Sequence, residues 1–287
     1  MGSRHNDRVR RMAALFGSAA IALFLYSGAA TPLRSQPWSV VEQKEVIKSW
    51  ELPVCYVVSH GDSTKYGSGF LMGTADSNMF LFFTALHVVQ GSDSVQVQLG
   101  IYDGDCNRRR WEFRWVPHEA GQRVYYVSDP SYDCAWIPIR RELIVRGLPA
   151  TWRFWFVKKN QLVPVDSLCV GLPVVFAGYP AGLSVGSKVP VVRFGRIAAI
   201  GLDPRQVLLD ANVFQGSSGS PVLLDKTDPR TRAFEGSLVG LIFENLDVLR
   251  QSPESQFRST ENLGIGCVVP ADVLLRSVEL FEKPPQR

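Results

Sequence analysis

A serine enclosed by glycines in the second half of the chain has the neighbours that nucleophilic chemistry requires. Residues 215–221 read Gln-Gly-Ser-Ser-Gly-Ser-Pro and lead at once into an apolar run. A serine nucleophile needs a tight turn that exposes its hydroxyl and aims backbone N–H groups at the developing oxyanion. Glycine at 216 allows a close approach to a substrate carbonyl, because it adopts dihedrals that a Cβ forbids. We therefore predict Ser218 as the nucleophile and the N–H groups of Gly216 and Ser218 as the oxyanion hole.

A base and an acid that could activate this serine stand earlier in the chain. His87 follows an apolar run that ends at Phe83, and Asp133 opens the apolar segment 134–137. Either residue alone is more simply explained by packing or turn chemistry. Together they suffice for a triad: His87 takes the serine proton, and Asp133 holds the imidazole in the useful tautomer. The order His, Asp, Ser is that of chymotrypsin and differs from the subtilisin and α/β-hydrolase orders.

The elements that must position these residues are predicted to be β-strands. Short runs of valine, isoleucine, phenylalanine and tyrosine alternate with glycine, proline, aspartate and serine, which favours an all-β sandwich or barrel. The predicted strands are residues 54–59, 69–72, 79–84, 95–99, 124–127, 135–139, 174–177, 189–194, 196–200, 207–209, 221–224, 237–243 and 266–269. Two polar stretches, 225–233 and 249–262, are predicted as surface loops.

One helix is predicted after the last strand. Pro270 and Asp272 favour a helix start, since aspartate is stabilised near the positive helix terminus. Apolar residues then recur at helical spacing, at Leu274, Val278 and Phe281.

Seven segments, in the same order, resemble the protease domain of the HtrA/Deg family of trypsin-like serine peptidases. They are Gly67-Ser68-Gly69-Phe70, Thr84-Ala85-Leu86-His87-Val88-Val89, Asp133-Cys134-Ala135, Val170-Gly171, Ala177-Gly178-Tyr179-Pro180-Ala181-Gly182-Leu183, Asp210-Ala211 with Gly216 to Pro221, and Gly264 to Pro270. The resemblance runs from about residue 54 to 281. Ser220 departs from the family pattern, which has a second glycine at this position. We also expect no PDZ domain after the protease domain, unlike in the HtrA family.

The resemblance implies a fold, a domain plan and a specificity site. The fold would be two six-stranded antiparallel β-barrels and a C-terminal helix, with a protease domain over 38–283. Barrel one would span about 38–165, barrel two about 166–270 and the helix 271–283. The residue six before the nucleophile, Asn212, would lie at the base of the primary pocket, and Ile242, Phe243 and Glu244 would line a wall. With no charge at Asn212, we expect cleavage after small or medium apolar residues; an inward Glu244 would instead favour lysine or arginine.

The N-terminus predicts export. Four arginines and one aspartate fall in residues 1–30, so three of the four net positive charges lie there, and the rest of the chain gives no support for nucleic-acid binding. An apolar run over 12–26 and the small residues 27–30 follow the arginines, as in a secretory signal. We predict a signal peptide or membrane anchor over 1–30, with a possible tether through 12–30, and a secreted or periplasmic location.

Other charged and thiol-bearing segments are assigned structural roles. The arginine-rich stretch 107–115 is predicted as a solvated strand with aromatics on one face. The five cysteines, Cys55, Cys106, Cys134, Cys169 and Cys267, show no metal-ligand spacing, so we predict no catalytic or zinc cysteine, no metal and no cofactor.

The function predicted from these residues is serine endopeptidase activity on protein or unfolded polypeptide substrates, through an acyl-enzyme. Two alternatives stay open: a catalytically silent homologue that binds peptides, and a serine esterase. Against the esterase, position 220 is serine, so Gly-x-Ser-x-Gly is absent, and no α/β repeat is present. The oligomeric state is left open.

Overall fold

Strands form where β-branched and aromatic residues cluster between turn residues. The structure is a computed structural model that describes residues 54–61, 64–102, 108–116, 123–180, 190–201, 206–226, 228, 237–251 and 258–283. The strands in these ranges are β1 (Val54–Gly61), β2 (Lys65–Gly73), β3 (Met79–Thr84), β4 (Ser92–Tyr102), β5 (Arg108–Trp115), β6 (Tyr126–Val127), β7 (Ala135–Arg140), β8 (Arg153–Phe154), β9 (Pro173–Gly178), β10 (Val191–Ile200), β11 (Val207–Asp210), β12 (Pro221–Leu224), β13 (Leu238–Gln251) and β14 (Arg258–Pro270).

The first eight strands form one antiparallel sheet. Its order is β5-β4-β1-β2-β3-β7-β6, and β8 pairs with β4 outside that path. Its core is rich in phenylalanine, and Phe70, Phe80, Phe82 and Phe83 are all fully buried. This sheet takes the place of the predicted first barrel, and it has eight strands instead of six.

The last six strands close into a barrel. Their order is β10-β11-β14-β13-β12-β9, which matches the six strands predicted for the second barrel. Aliphatic side chains such as Val174, Ile197, Leu209 and Val222 fill its interior. The prediction of an all-β trypsin-like fold is therefore confirmed.

Helical segments are short except for the last. They are α1 (Leu86–Val89), α2 (Arg141–Val145), α3 (Ala271–Glu282) and two 3₁₀ turns (Lys159–Gln161 and Val165–Ser167). The terminal helix was predicted from its apolar spacing, and Leu274 and Val278 are indeed fully buried. Phe281 meets the ring of Trp136 edge-on, with centroids 5.8 Å apart, so the helix packs against the first sheet.

Two of the predicted boundaries are wrong. The segments 189–194 and 196–200 were predicted as two strands, but Val191–Ile200 form one continuous strand, β10, across Gly195. The predicted loop 249–262 is strand at both ends, because β13 runs to Gln251 and β14 begins at Arg258. Two strands pair through backbone hydrogen bonds, which do not require apolar side chains. A hairpin extended by polar residues therefore cannot be predicted from hydrophobic runs.

The arginine-rich stretch forms β5 and has the predicted one-sided character. Phe113 and Trp115 are buried, while the alternating Glu112 and Arg114 are exposed. The predicted leader, residues 1–30, lies outside the described residues, as does Cys106. Among the helices that the structure does describe, none is both long enough and apolar enough to cross a membrane.

Candidate active site

The histidine and the aspartate meet at one end of the first sheet. Strands β3 and β7 are neighbours, and their register pairs Thr84 with Ala135. His87 follows β3 by three residues, and Asp133 precedes β7 by two. The segments that carry the two residues therefore meet at this end of the sheet. The Leu86 N–H donates to the Asp133 carbonyl at 3.3 Å, which joins the two connections directly.

Asp133 accepts two hydrogen bonds from His87. One carboxylate oxygen, Oδ1, accepts the backbone N–H of His87 at 2.8 Å. The other, Oδ2, contacts the ring nitrogen Nδ1. This arrangement fixes the imidazole orientation and leaves Nε2 as the nitrogen that can take a proton from a nucleophile. The imidazole is about half exposed, at 49% of its side-chain surface.

The serine lies on a glycine turn between β11 and β12. Gly216 and Gly219 have φ values of +91° and +92°, a region that favours glycine. The turn is closed by hydrogen bonds from Ser217 N–H to the Phe214 carbonyl and from Ser220 N–H to the Ser217 carbonyl, both 2.9 Å. The sequence motif therefore forms the tight turn that it predicts.

Two backbone N–H groups of this turn have no acceptor among the described residues. Within the part of the chain that the structure describes, neither the Gly216 N–H nor the Ser218 N–H donates a hydrogen bond to another group. Both groups are the predicted oxyanion donors. Backbone N–H groups are rarely left unpaired in proteins unless water or a ligand accepts from them.

Ser218, the candidate nucleophile, lies close to α1, the short helix that contains His87. A Cβ added at Gly67 would stand 2.8 Å from a Val88 side-chain methyl and 3.0 Å from the Ser218 carbonyl oxygen. Ser218 Oγ donates to the Phe243 carbonyl at 3.4 Å, and within the described ranges no hydrogen bond joins it to His87. Catalytic hydrogen bonds are often long or misaligned without substrate, so this geometry is compatible with a serine nucleophile.

The four predicted substrate-contact residues lie at different depths. Asn212 is exposed, and its side-chain oxygen faces Gly264, where an added Cβ would come within 3.4 Å. Glu244 is exposed and Phe243 is half-buried. Ile242 is fully buried in the barrel core, so its side chain does not face a surface cleft. Asn212, Phe243 and Glu244 are thus the accessible members of the set.

Two residues that the sequence did not single out contact the segment leading to the serine. Arg193 donates from Nη1 to the Asn212 carbonyl at 3.2 Å, and its guanidinium lies 4.1 Å from the centroid of the Phe214 ring. Burial lowers the pKa of the Arg193 guanidinium from its ordinary value. Ser68 donates its hydroxyl to the Gly216 carbonyl. The sequence signal for Arg193 was an arginine within an otherwise apolar strand. Ser68 lies inside the Gly67–Phe70 motif, for which no chemical role was predicted from the sequence.

The two described cysteines near the site are poor nucleophiles. Burial raises the pKa of Cys134 to about 12, with the Asp133 charge adding to it and a hydrogen bond with Ser128 opposing it. Burial and the charge of Glu244 raise the pKa of Cys267 to about 11. Because the thiolate is the reactive form, both thiols are unreactive near neutral pH. Across the described ranges, no group of three or more His, Cys, Asp or Glu side chains could hold a metal ion.

The family of the chain follows from comparison with known proteins. Residues 67–229, more than half of the chain, match the family model of the trypsin-like peptidase domain. The chain therefore belongs to the trypsin-like peptidase family, a class of serine endopeptidases. No curated protein matches the sequence significantly.

Solved structures show the same fold at low sequence identity. The HtrA-type protease AlgW, solved with a tripeptide, superposes with a TM-score of 0.50 at 19% identity, covering 85% of this chain and 64% of AlgW. The Rv3671c protease from M. tuberculosis, in its active form, gives 0.50 at 21% identity and covers 88% of this chain and 89% of its own. The chain thus spans just under two thirds of the AlgW chain, and both similarities concern the fold.

Proposed function

We propose that this peptidase cleaves its protein substrates through a triad of His87, Asp133 and Ser218. One observation carries the proposal. Asp133 binds His87 through both carboxylate oxygens, while two N–H groups of the turn around Ser218 find no acceptor within the described ranges. The first feature suits a general base, and the second suits an oxyanion hole.

The proposed reaction follows from these groups. Ser218 Oγ attacks the scissile carbonyl carbon while its proton passes to His87 Nε2. The carbonyl oxygen becomes an oxyanion that accepts hydrogen bonds from the N–H groups of Gly216 and Ser218. The C–N bond then breaks, and His87 gives the proton to the leaving amine, which leaves an acyl-enzyme on Ser218. Water, deprotonated by His87, hydrolyses this ester and regenerates the serine.

Cleavage of unfolded casein by the Ser218→Ala variant tests the triad. We expect kcat to fall about 10⁶-fold, because triad members act as a unit. Ser77→Ala, a change at an exposed serine on the turn between β2 and β3, is the control and should leave the rate unchanged. A fluorophosphonate should label the wild-type chain and the control, but not Ser218→Ala. Near-wild-type turnover in Ser218→Ala would refute the triad.

The same assays separate the two alternatives. A silent peptide-binding homologue would bind casein peptides but neither cleave them nor take the label. A serine esterase would take the label and hydrolyse short esters without cleaving casein.

We also propose export, on the strength of residues 1–30 alone. N-terminal sequencing of the protein from membrane and soluble fractions should find a new N-terminus near Ala29 or Ala30, or an anchored Met1 in the membrane. An intact Met1 in a cytoplasmic fraction would contradict export.

For specificity, we propose cleavage after small or medium apolar residues. Asn212 offers no charge to a basic side chain, and Glu244 is exposed, so solvent screens its carboxylate. Profiling on a peptide library measures the preference. A preference for lysine or arginine that disappears in Glu244→Gln would instead make Glu244 the specificity residue.

A further inference from the structure

The hydroxyl of Ser68 has only one way to arrange its hydrogen bonds. Ser68 lies in β2 and is fully buried. Its Oγ is 3.0 Å from the Tyr179 backbone nitrogen and 2.9 Å from the Gly216 carbonyl oxygen. An N–H can only donate, so Oγ accepts from Tyr179, and its single proton must go to Gly216.

The backbone of Ser68 is tied to the same turn. Its N–H donates to the Ser218 carbonyl at 2.8 Å. Its own carbonyl accepts the Thr84 hydroxyl at 2.7 Å, and Thr84 ends the strand that leads to His87. One residue of the first sheet therefore holds two carbonyls of the nucleophile turn.

These bonds restrict the peptide planes around the oxyanion donors. The peptide between Gly216 and Ser217 is held at its carbonyl by Ser68 and at its N–H by the Phe214 carbonyl, 2.9 Å away. With this plane fixed, the direction of the Gly216 N–H depends on the torsions of Gly216 alone. Glycine has little intrinsic preference between φ values of opposite sign, so an external contact must select +91°.

The Ser68 hydroxyl lies in a tightly packed region. The site is closed to solvent, and a Cβ added at Gly178 would come within 3.2 Å of Ser68 Oγ. A Cβ at Gly219 would collide with the Ser68 carbonyl oxygen at 1.8 Å. Loss of the hydroxyl would remove the donor from the Gly216 carbonyl in a dry site, which favours a rotation of the turn.

We propose that Ser68 is a positioning residue of the oxyanion hole: its hydroxyl holds the Gly216 carbonyl and thereby aims the Gly216 N–H at the oxyanion. This inference rests on the proposed triad mechanism, because it assigns a role to Ser68 only if an oxyanion forms at Ser218. It predicts that Ser68 affects the transition state more than the binding of substrate.

The test compares Ser68→Ala with wild type in the full chain. We expect kcat on a peptide substrate to fall about 10–100-fold, less than the ~10²–10³ lost with an oxyanion donor itself, because the N–H remains but is misaimed. KM should stay within about threefold, since ground-state contacts are unchanged. The affinity for a peptide boronate, which forms a tetrahedral adduct, should fall in parallel with kcat, while that for the product peptide should not.

Ser277→Ala is the matched control. Ser277 is also fully buried and makes one hydrogen bond, to the Val273 carbonyl at 3.1 Å within α3. Its loss should lower stability without changing the ratio of boronate to product affinity. If Ser68→Ala does not fold, Ser68→Cys decides the matter, because a thiol of similar size is a much weaker donor.

The outcomes separate this inference from the triad itself. A Ser68 variant with wild-type kcat, or with equal losses in boronate and product affinity, would overturn the positioning role while an inactive Ser218→Ala leaves the triad intact. An active Ser218→Ala would overturn both.

Discussion

The candidate site has one part on the first sheet and one part on the closed barrel, and the two parts differ in whether their polar groups already have hydrogen-bond partners. On the first sheet, Asp133 is already bonded to both the backbone and the ring of His87. On the second barrel, the N–H groups of Gly216 and Ser218 have no acceptor in the described structure, and the Ser218 hydroxyl makes only a 3.4 Å contact with the Phe243 carbonyl.

The difference corresponds to what each half would have to do. A general base must be oriented before substrate arrives, so its partner belongs to the protein. An oxyanion hole must keep its donors open, because its acceptor arrives with the substrate and develops charge only in the transition state. Mutations in the first half should therefore disturb proton transfer, and mutations in the second should disturb oxyanion stabilisation.

The largest effect after loss of the serine should come from Asp133→Asn. The amide oxygen can still accept the His87 N–H, but the amide NH₂ would donate to Nδ1 and place the ring proton on Nε2. That tautomer cannot accept the serine proton, so kcat should fall about 10⁴-fold.

Asp129→Asn is the matched control. Asp129 lies in the same loop, and its Oδ1 accepts the Ser131 N–H at 2.8 Å, a bond that asparagine can keep. Its kcat should stay at the wild-type value. If Asp133→Asn stays within tenfold of wild type, the carboxylate does not set the tautomer.

The second half is tested by Gly216→Ala. Alanine is strained at a φ of +91°, so the turn should rotate and misdirect the oxyanion N–H. We expect kcat to fall about 10²–10³-fold, the range seen when an oxyanion donor is lost.

Gly171→Ala provides the same backbone strain elsewhere. Gly171 has a φ of +85°, and a Cβ there would meet nothing within 4 Å. It should cost stability but leave kcat near wild type. Equal kcat losses in the two variants would mean that strain alone, and not the oxyanion geometry, explains the result for Gly216.

The sequence predicted elements with strong local signals and missed features that depend on packing. Residues 79–84 and 221–224 were predicted to the residue, because apolar runs there end at clear turn signals. The predicted gap between strands at Gly195 is wrong, because β10 continues through it. A Cβ there would come within 2.6 Å of Ala211, so this glycine serves close packing and not a turn.

The same division holds within the candidate site. The triad candidates stood in recognisable local motifs. The contact between Ser68 and Gly216 joins residues 148 apart in the chain and exists only once the sheet and the barrel have packed together. No local pattern encodes which carbonyl a buried serine will reach.

Ser220, the departure from the family pattern, should limit stability more than activity. It is fully buried, and its Oγ has no hydrogen-bond partner within the described residues. Leaving a buried hydroxyl unpaired costs about 1–3 kcal/mol, so Ser220→Ala should raise the free energy of unfolding by about 1 kcal/mol. Ser277→Ala, which removes a bonded hydroxyl, should lower it. Urea unfolding of both variants checks the opposite signs; a loss of stability in Ser220→Ala would mean that its hydroxyl is bonded.

The smallest effect is expected far from the site, at the end of the terminal helix. Glu282 accepts the Ala75 N–H at 2.6 Å and contacts the Lys159 ammonium, so it ties α3 to the turn after β2 and to a 3₁₀ turn. Burial acts to raise the pKa of Glu282, but these two hydrogen bonds and the charges of Lys159 and Lys283 outweigh it and hold the pKa below its ordinary value. A carboxylate with a lower pKa in the folded state stabilises the fold above its unfolded-state pKa, and this contribution is lost as the pH falls through the folded-state pKa.

Glu282→Gln should therefore lower the free energy of unfolding near pH 7 by about 0.5–1 kcal/mol, since Lys159 is partly exposed and solvent screens the pair. That corresponds to about 1–4 °C in Tm for a domain of this size. The difference from wild type should shrink as the pH is lowered below the ordinary glutamate range, because the wild-type carboxyl then becomes neutral as well. Glu279→Gln makes the same charge change one turn earlier, at an exposed position of α3, and should leave Tm nearly unchanged at every pH. A gap between Glu282→Gln and wild type that persisted undiminished in acid would show that shape, and not the charge of Glu282, holds the helix in place.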